Sequence, residues 1–254
     1  MVTTTSTFLR SSSEASPAGR PQVTVRFRFT GRDEGDLSVA LDPAELSHRR
    51  EQVAPGRWTW LEQVHGADVV TVRIPGDRAG SRADGAVTDA AGAVLSVHTA
   101  DCAPVLLRGD GGDGPVVGAA HAGWRGLRSG VLGATVHAMR ALGATSISWR
   151  LGPCISPRVY EFGEEDLEPL VARFGTEVRA RTSEGAPALD LRAAVRAALT
   201  EAGADEARPG APIPCTVADP GWFSWRRDRT ASRQAALIWI EADDADPAAT
   251  SWWS

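Results

Sequence analysis

Hydrophobic and polar positions alternate with a period of two over Val23–Phe29 (VTVRFRF), which predicts a half-buried strand. Further along, the apolar runs are short and continuous. Ala93–Val97, Pro104–Leu107 and Val116–Ala120 are each bounded by Gly, Asp or Pro, the mark of buried strands. Asp68–Val72, Ser146–Leu151, Cys215–Ala218 and Ala236–Ile240 read as strands too, and Asp110–Pro115 (DGGDGP) as a hairpin-type turn. Trp58–Gln63 and Ala83–Thr88 lead into His65-Gly66 and into the central apolar stretch. Helical patterning covers Pro43–Val53, with Asp42 as cap and Pro43 at the first position. It returns at Ser129–Leu142, closed by Gly143, at Glu164–Phe174, and at Asp190–Ala202, capped by Asp190 and closed by Gly203. With no internal repeat and no linker, the pattern predicts one α+β domain over residues 23–241. Residues 1–22 are polar and Ser/Thr-rich and predict a disordered tail; residues 242–254 predict a loose acidic tail, in which Trp252-Trp253 has no account.

The patterning also places chemistry. Cys102 follows one strand and His121 ends another, at the kind of position where scaffolds present reactive groups. Composition narrows the field. The chain has 254 residues, a net charge of −5 and 43% hydrophobic residues, which fits a globular protein and gives no basic footprint for nucleic acid. No apolar run approaches the roughly 20 residues that span a bilayer, and the N-terminal segment lacks the apolar core of a secretory signal. A cytoplasmic protein with neither membrane nor nucleic-acid partner is expected. Three widely spaced cysteines fit a reducing compartment better than a disulfide framework. The chain has no lysine, which excludes Schiff-base and P-loop lysine chemistry. Anions must be held by Arg, by backbone N–H groups or by a metal.

Seven motifs occur in order between about residue 60 and about residue 240: QVHGADV (63–69), ADGAVTD (83–89), TADCAPVLL (99–107), AAHAGWRGL (119–127), LGPCI (151–155), YEFGEE (160–165) and FSWRRD (223–228). Together they make the sequence resemble the multicopper polyphenol oxidase, or laccase-domain, family. These are the YfiH-like proteins, also known as purine nucleoside phosphorylases related to human laccase domain-containing protein 1. The resemblance implies a mixed β-sheet core with helices on its outer faces. It further implies a metal site made by His65, Cys102 and His121. Zinc with an open position is commonly held by three such N/S/O ligands, and copper is the alternative ion. One region departs from the family. A short GRDEGDLSVAL (31–41) and His48-Arg49-Arg50 stand in place of a longer Gly/Ser loop and an Asn-Arg pair, so no substrate contact is carried over from it.

The remaining candidates each have a plainer reading beside the functional one. Asp101 orients a ligand or moves a proton, or else caps a turn. Arg125 holds phosphate in bidentate fashion, or makes a structural ion pair. Trp124 stacks a purine or belongs to the core. Glu161 is an acid/base candidate, whereas Glu164 and Glu165 read as a solvated helix start. Arg226, with Arg227, is an anion-site candidate or a surface pair. Gln63, at the head of the first motif, is grouped with Trp124 and Arg226 as substrate-binding. His98 precedes Cys102 by four residues, about 13 Å of extended chain, and is read as a wall or packing residue. His48 and His137 fall on predicted helices, and Cys154 in a Gly-Pro turn reads as structural.

The function implied by the resemblance is a zinc-dependent purine nucleoside phosphorylase with adenosine deaminase side activity, taking a purine nucleoside and phosphate. Its rivals are a copper polyphenol oxidase, a Cys102-dependent amide hydrolase acting on a peptidoglycan precursor, and a binding module without turnover. Five histidines are too few for a multi-copper cluster plus other duties.

Overall fold

The computed structural model describes residues 23–242. The predicted tails, 1–22 and everything beyond Ala242 including Trp252-Trp253, lie outside the described residues. Two sheets face each other. One runs in the order Val23–Phe29, Gln234–Ala242, Ala93–Thr99, Arg57–Thr59. The other runs Asp205–Glu206, Ala144–Leu151, Ala103–Gly111, Gly114–Ala122, Gly85–Thr88, Val69–Val72. Both mix parallel and antiparallel neighbours. Two small pairings lie outside them, Leu61–Glu62 with Ser81–Arg82 and Arg179–Arg181 with Pro187–Leu189.

Strand alternation sorts the core into three layers. Val25, Phe27, Leu95, Val97 and Ile238 from one sheet meet Leu106, Val117 and Ala119 from the other. On the far side of the six-stranded sheet, Val105, Leu107 and Val116 pack against helices Val131–Ala141, Glu164–Phe174 and Leu191–Glu201. On the far side of the four-stranded sheet, Val94, Ala235 and Leu237 meet Leu46 and Val53 of helix Pro43–Val53. The strand Ala103–Gly111 is covered on both faces, which is why its sequence is continuously apolar rather than alternating. The expected mixed-sheet core with outer helices is what forms.

The predicted caps are in place. Asp42 accepts from the N–H groups of Ala44 and Glu45 at 3.0 and 3.2 Å, and Asp190 accepts from Arg192 and Ala193, both at 3.0 Å. Two predicted elements need correction. The helix expected over Ser129–Leu142 forms over Val131–Ala141; its expected first residue, Ser129, ends a separate helix, Trp124–Ser129, divided from it at Gly130, whose φ of +93° no other residue adopts as readily. Cys215–Ala218 is a turn, not a strand: Ala218 and Asp219 both donate to the Cys215 carbonyl. The Arg227 guanidinium captures the carbonyls of Thr216, Val217 and Asp219 that a ladder would have used. Only Cys215 keeps a bridge, to Cys154.

Candidate metal centre

Strand register brings the ligands together. The hairpin pairs Pro104 with His121 and Ala103 with Ala122, so Cys102, one residue before the strand, lies beside the end of its partner. On the other side of that partner, Gly85 pairs with Ala120, and the His121 N–H donates to the Asp84 carbonyl at 2.7 Å. The next strand pairs Val69 with Gly85, which swings the Val64–Gly66 loop against Asp84. Four adjacent strands, one of them preceded by Asp84, therefore deliver His65, Cys102 and His121 to one spot.

Asp84 fixes two of the three. Its fully buried carboxylate accepts from the backbone N–H groups of Val64, His65 and Gly66 at 3.1, 3.0 and 2.7 Å. It also pairs with His121 Nδ1 at 2.7 Å. The first set holds His65 in a left-handed conformation, φ +59°, which a non-glycine residue adopts only when its surroundings over-determine it. The second leaves His121 Nε2 as the nitrogen free to bind an ion. Burial pushes the Asp84 carboxyl up, but His121 and these N–H groups outweigh it and hold it below the usual range.

The ligand atoms of His65, Cys102 and His121 all lie within 4.8 Å of one another, with Cys102 Sγ 3.8 Å from His65 Nε2. Bonds of about 2.0–2.3 Å at tetrahedral angles put neighbouring N and S ligands somewhat under 4 Å apart, so this donor set fits a tetrahedral ion. Burial pushes the Cys102 thiol up, but His121 and His65 beside it bring it down to about 6. Burial conversely depresses His121, and the Cys102 thiolate and Asp84 raise it to about 9. Without an ion the pair rests at neutral pH as thiolate and imidazolium, so an ion that binds there takes up the thiolate and displaces the His121 proton.

Gly123 makes the convergence possible. A Cβ there would stand 2.7 Å from His65 Cδ2 and 3.2 Å from Cys102 Sγ. Its φ of −72° and ψ of 162° suit any residue, so the demand is steric and not conformational. Gly123→Ala is expected to leave the fold intact and to lower metal affinity about 10-fold or more, the scale of lost ligand orientation. Metal titration of the variant, with circular dichroism as the folding control, checks this.

The other sequence candidates surround the centre in distinct roles. Asp101, at φ +101°, spends both carboxylate oxygens: Oδ1 accepts from Thr216 Oγ1 at 2.6 Å and Oδ2 from the Arg226 N–H at 2.7 Å. It ties the 215–218 turn and the short helix Trp225–Asp228 to the Cys102 loop. Arg226 extends over the Tyr160 ring at 5.1 Å, and burial first, then the nearby Cys102 thiolate, pushes the Tyr160 hydroxyl well above its usual range. Arg125 is exposed, with its guanidinium 4.4 Å from the Trp124 ring; Trp124 is half-buried and meets Phe162 edge to face at 5.4 Å. Glu161 is exposed next to Tyr160. Gln63 has its amide engaged with the backbone of His98, Nε2 donating to the carbonyl at 2.8 Å and Oε1 accepting from the N–H at 2.7 Å.

His98 stands apart from the cluster, as expected of a packing residue. It is buried under helix Pro43–Val53 with neither ring nitrogen partnered. Burial, then Arg50 and Arg233, drive it down to about 3, so it is neutral. Cys154 is buried in the core, as read from its turn. Sequence reasoning missed Asp84 and Gly123. Both lie inside motifs it had singled out, ADGAVTD and AAHAGWRGL, in which no role was assigned to either residue.

Comparisons with known proteins give the family and the fold. Residues 32–241 match the family described as multi-copper polyphenol oxidoreductase laccase. A Streptomyces coelicolor relative named purine nucleoside phosphorylase is 43% identical over 213 residues, 80% of this chain and 86% of its own length. Escherichia coli YfiH, also named purine nucleoside phosphorylase, is 39% identical over 189 residues, 73% of this chain and 75% of its own. A solved Neisseria meningitidis protein of family DUF152 superposes with a TM-score of 0.72 at 29% identity, covering 89% of this chain and 96% of its own. YlmD from Geobacillus stearothermophilus gives 0.68 at 30% identity, covering 86% and 92%. The match over residues 32–241 shows that the chain belongs to the multi-copper polyphenol oxidoreductase laccase family, whose YfiH-like relatives carry the name purine nucleoside phosphorylase.

Proposed function

We propose that this protein is a zinc-dependent purine nucleoside phosphorylase with adenosine deaminase side activity. The observation that supports it best is the His65–Cys102–His121 cluster beside two exposed guanidinium groups, in a chain about two-fifths identical to relatives named for that activity. Zinc suits two imidazoles and a thiolate, and when bound it supplies Lewis-acid polarisation and a water of lowered pKa. Copper in a multi-ion cluster suits the chain less well, because His48, His98 and His137 stand apart from the other two histidines.

The chain's own residues then divide the work. Arg226 and Arg125 hold phosphate, arginine being the only permanently cationic residue type in a chain without lysine. Asp101 acts through Arg226, fixing the backbone from which that side chain reaches out. Trp124 offers an aromatic face to the purine once the Arg125 guanidinium moves from it to the anion. Tyr160, kept protonated, donates a hydrogen bond, and Glu161 is the exposed acid/base group next to it. In phosphorolysis a phosphate oxygen bonds to the ribose C1′ as the C1′–N9 bond breaks, and the purine leaves with a proton. Fixed positive charge nearby favours the phosphate that attacks.

Two measurements test the reading. Elemental analysis of protein purified without added metal should give about one zinc per chain and little copper. Adenosine with phosphate should yield adenine and ribose 1-phosphate, plus some inosine. Arg125→Ala should raise the KM for phosphate roughly 10-fold, the scale of one lost charge-assisted contact, with no change in Tm. No phosphate-dependent base release from any purine nucleoside by the metal-replete protein would overturn the assignment. A second reading, a thiol hydrolase, is favoured by one observation, the thiol at about 6 beside His121, and is separated from the first below.

A further inference from the structure

We infer that Cys154 and Cys215 form a reversible disulfide under oxidising conditions, a modification site that fastens the Cys215–Asp219 turn to the core. The two residues face each other as a parallel β-bridge. The Cys154 N–H donates to the Pro214 carbonyl at 3.3 Å, and the Thr216 N–H donates to the Cys154 carbonyl at 3.4 Å. Arg192 Nη2 clamps the same two segments, donating to the carbonyls of Cys154 and Pro214, both at 3.1 Å. Paired residues on adjacent strands sit about 4.8 Å apart with their side chains on the same side of the ladder. That falls inside the roughly 4.4–6.8 Å of Cα separation that a disulfide spans, so neither backbone has to move.

The two sulfurs have unequal surroundings, and this sets the order of events. Cys215 is half-exposed, and its Sγ accepts from the Ser156 N–H at 3.4 Å. Burial raises its pKa, but this hydrogen bond and neighbouring N–H groups outweigh it and bring it below the ordinary thiol value. Cys154 is fully buried, and burial holds it up at about 12. Cys215 is therefore the thiolate that meets an oxidant, and Cys154 the thiol that resolves it. With a hydroperoxide as oxidant, Cys215 sulfur bonds to the distal oxygen as the O–O bond breaks, which gives a sulfenic acid and one water from hydrogen peroxide. The Cys154 thiol, losing its proton, then bonds to Cys215 sulfur as the S–O bond breaks, and a second water leaves. Two thiols are oxidised and one peroxide is reduced.

The consequence reaches the candidate site through Thr216, whose hydroxyl holds Asp101 and is next in sequence to Cys215. The inference does not depend on which substrate the site takes. Peptide mapping tests it on the full-length, metal-loaded protein. After treatment with hydrogen peroxide, alkylation of the remaining thiols and digestion with trypsin, we expect a linked pair of peptides, Leu151–Arg158 and Ala197–Arg226. The pair should separate with dithiothreitol and should be absent from Cys215→Ala, in which Cys154 stays alkylatable once the protein is unfolded. Cys215 that ends as a sulfinic acid, stays reduced, or is joined to Cys102 instead would overturn the inference.

Discussion

Asp84→Ala is expected to lower metal affinity by about 10- to 100-fold, the range for removing a carboxylate that orients a ligating histidine. It should also destabilise the fold by about 3–5 kcal/mol, as breaking a buried ion pair from one side does. The reasons are geometric. One fully buried carboxylate satisfies the N–H groups of Val64, His65 and Gly66 and the Nδ1 of His121 at once. Without it, the three N–H groups and the buried His121 Nδ1 all lose a partner, and a buried group left unpaired costs about 1–3 kcal/mol. His65 would relax from its left-handed backbone, and His121 would lose the contact that sets its tautomer. Asp84→Asn is the sharper variant, because it keeps the volume and turns one acceptor oxygen into a donor aimed at donors. Isothermal metal titration and urea unfolding measure the two effects. If Asp84→Asn binds metal with wild-type affinity, the carboxylate does not organise the centre.

Asp84 also shows where the sequence stops being informative. The strands Val23–Phe29, Asp68–Val72 and Val116–Ala120 could be read locally, because burial on one or both faces leaves a pattern in the residues themselves. The capped helices at Asp42 and Asp190 could be read for the same reason. Which strand lies beside which is a non-local matter. That Asp84 neighbours His121 follows from the pairing of Gly85 with Ala120, and no property of ADGAVTD by itself announces it. The same holds for Cys215–Ala218, where an apolar-looking run becomes a turn in which Arg227, 11 and 10 residues on from Thr216 and Val217, binds their carbonyls. Gly130 was legible in identity but not in consequence: glycine inside an apolar helical run signals only tolerance, and the break needs the positive φ that packing selects. For the centre itself, position at strand ends marked Cys102 and His121. Bringing in His65 took the family resemblance, since a lone His-Gly after a short strand carries no metal signal of its own.

His65→Ala and Cys102→Ser are both expected to lose zinc, whereas Cys154→Ser is expected to keep it. Loss of activity in Cys102→Ser alone decides nothing, because a metal ligand and a thiol nucleophile would both be abolished. The difference lies in the resting sulfur. In the metal-free protein the Cys102 thiol sits at about 6, so at pH 7 it is largely thiolate and open to alkylation. A bound ion shares those electron pairs, so iodoacetamide should react slowly with the loaded protein and quickly after a chelator has stripped it. A nucleophile paired with His121 would react quickly in both states. His65 sharpens the comparison. Its Nε2 lies 3.8 Å from Cys102 Sγ and completes the three-ligand set, whereas a Cys102–His121 dyad, with Asp84 behind the histidine, is already complete without it. Removing one of three protein ligands should weaken zinc binding well beyond the roughly 10- to 100-fold seen for outer-shell partners. Metal content, alkylation rate and activity are therefore read together on wild type and His65→Ala. If His65→Ala retains full activity while Cys102 in untreated wild type alkylates rapidly, the centre is a thiol–imidazole hydrolase and not a metal site.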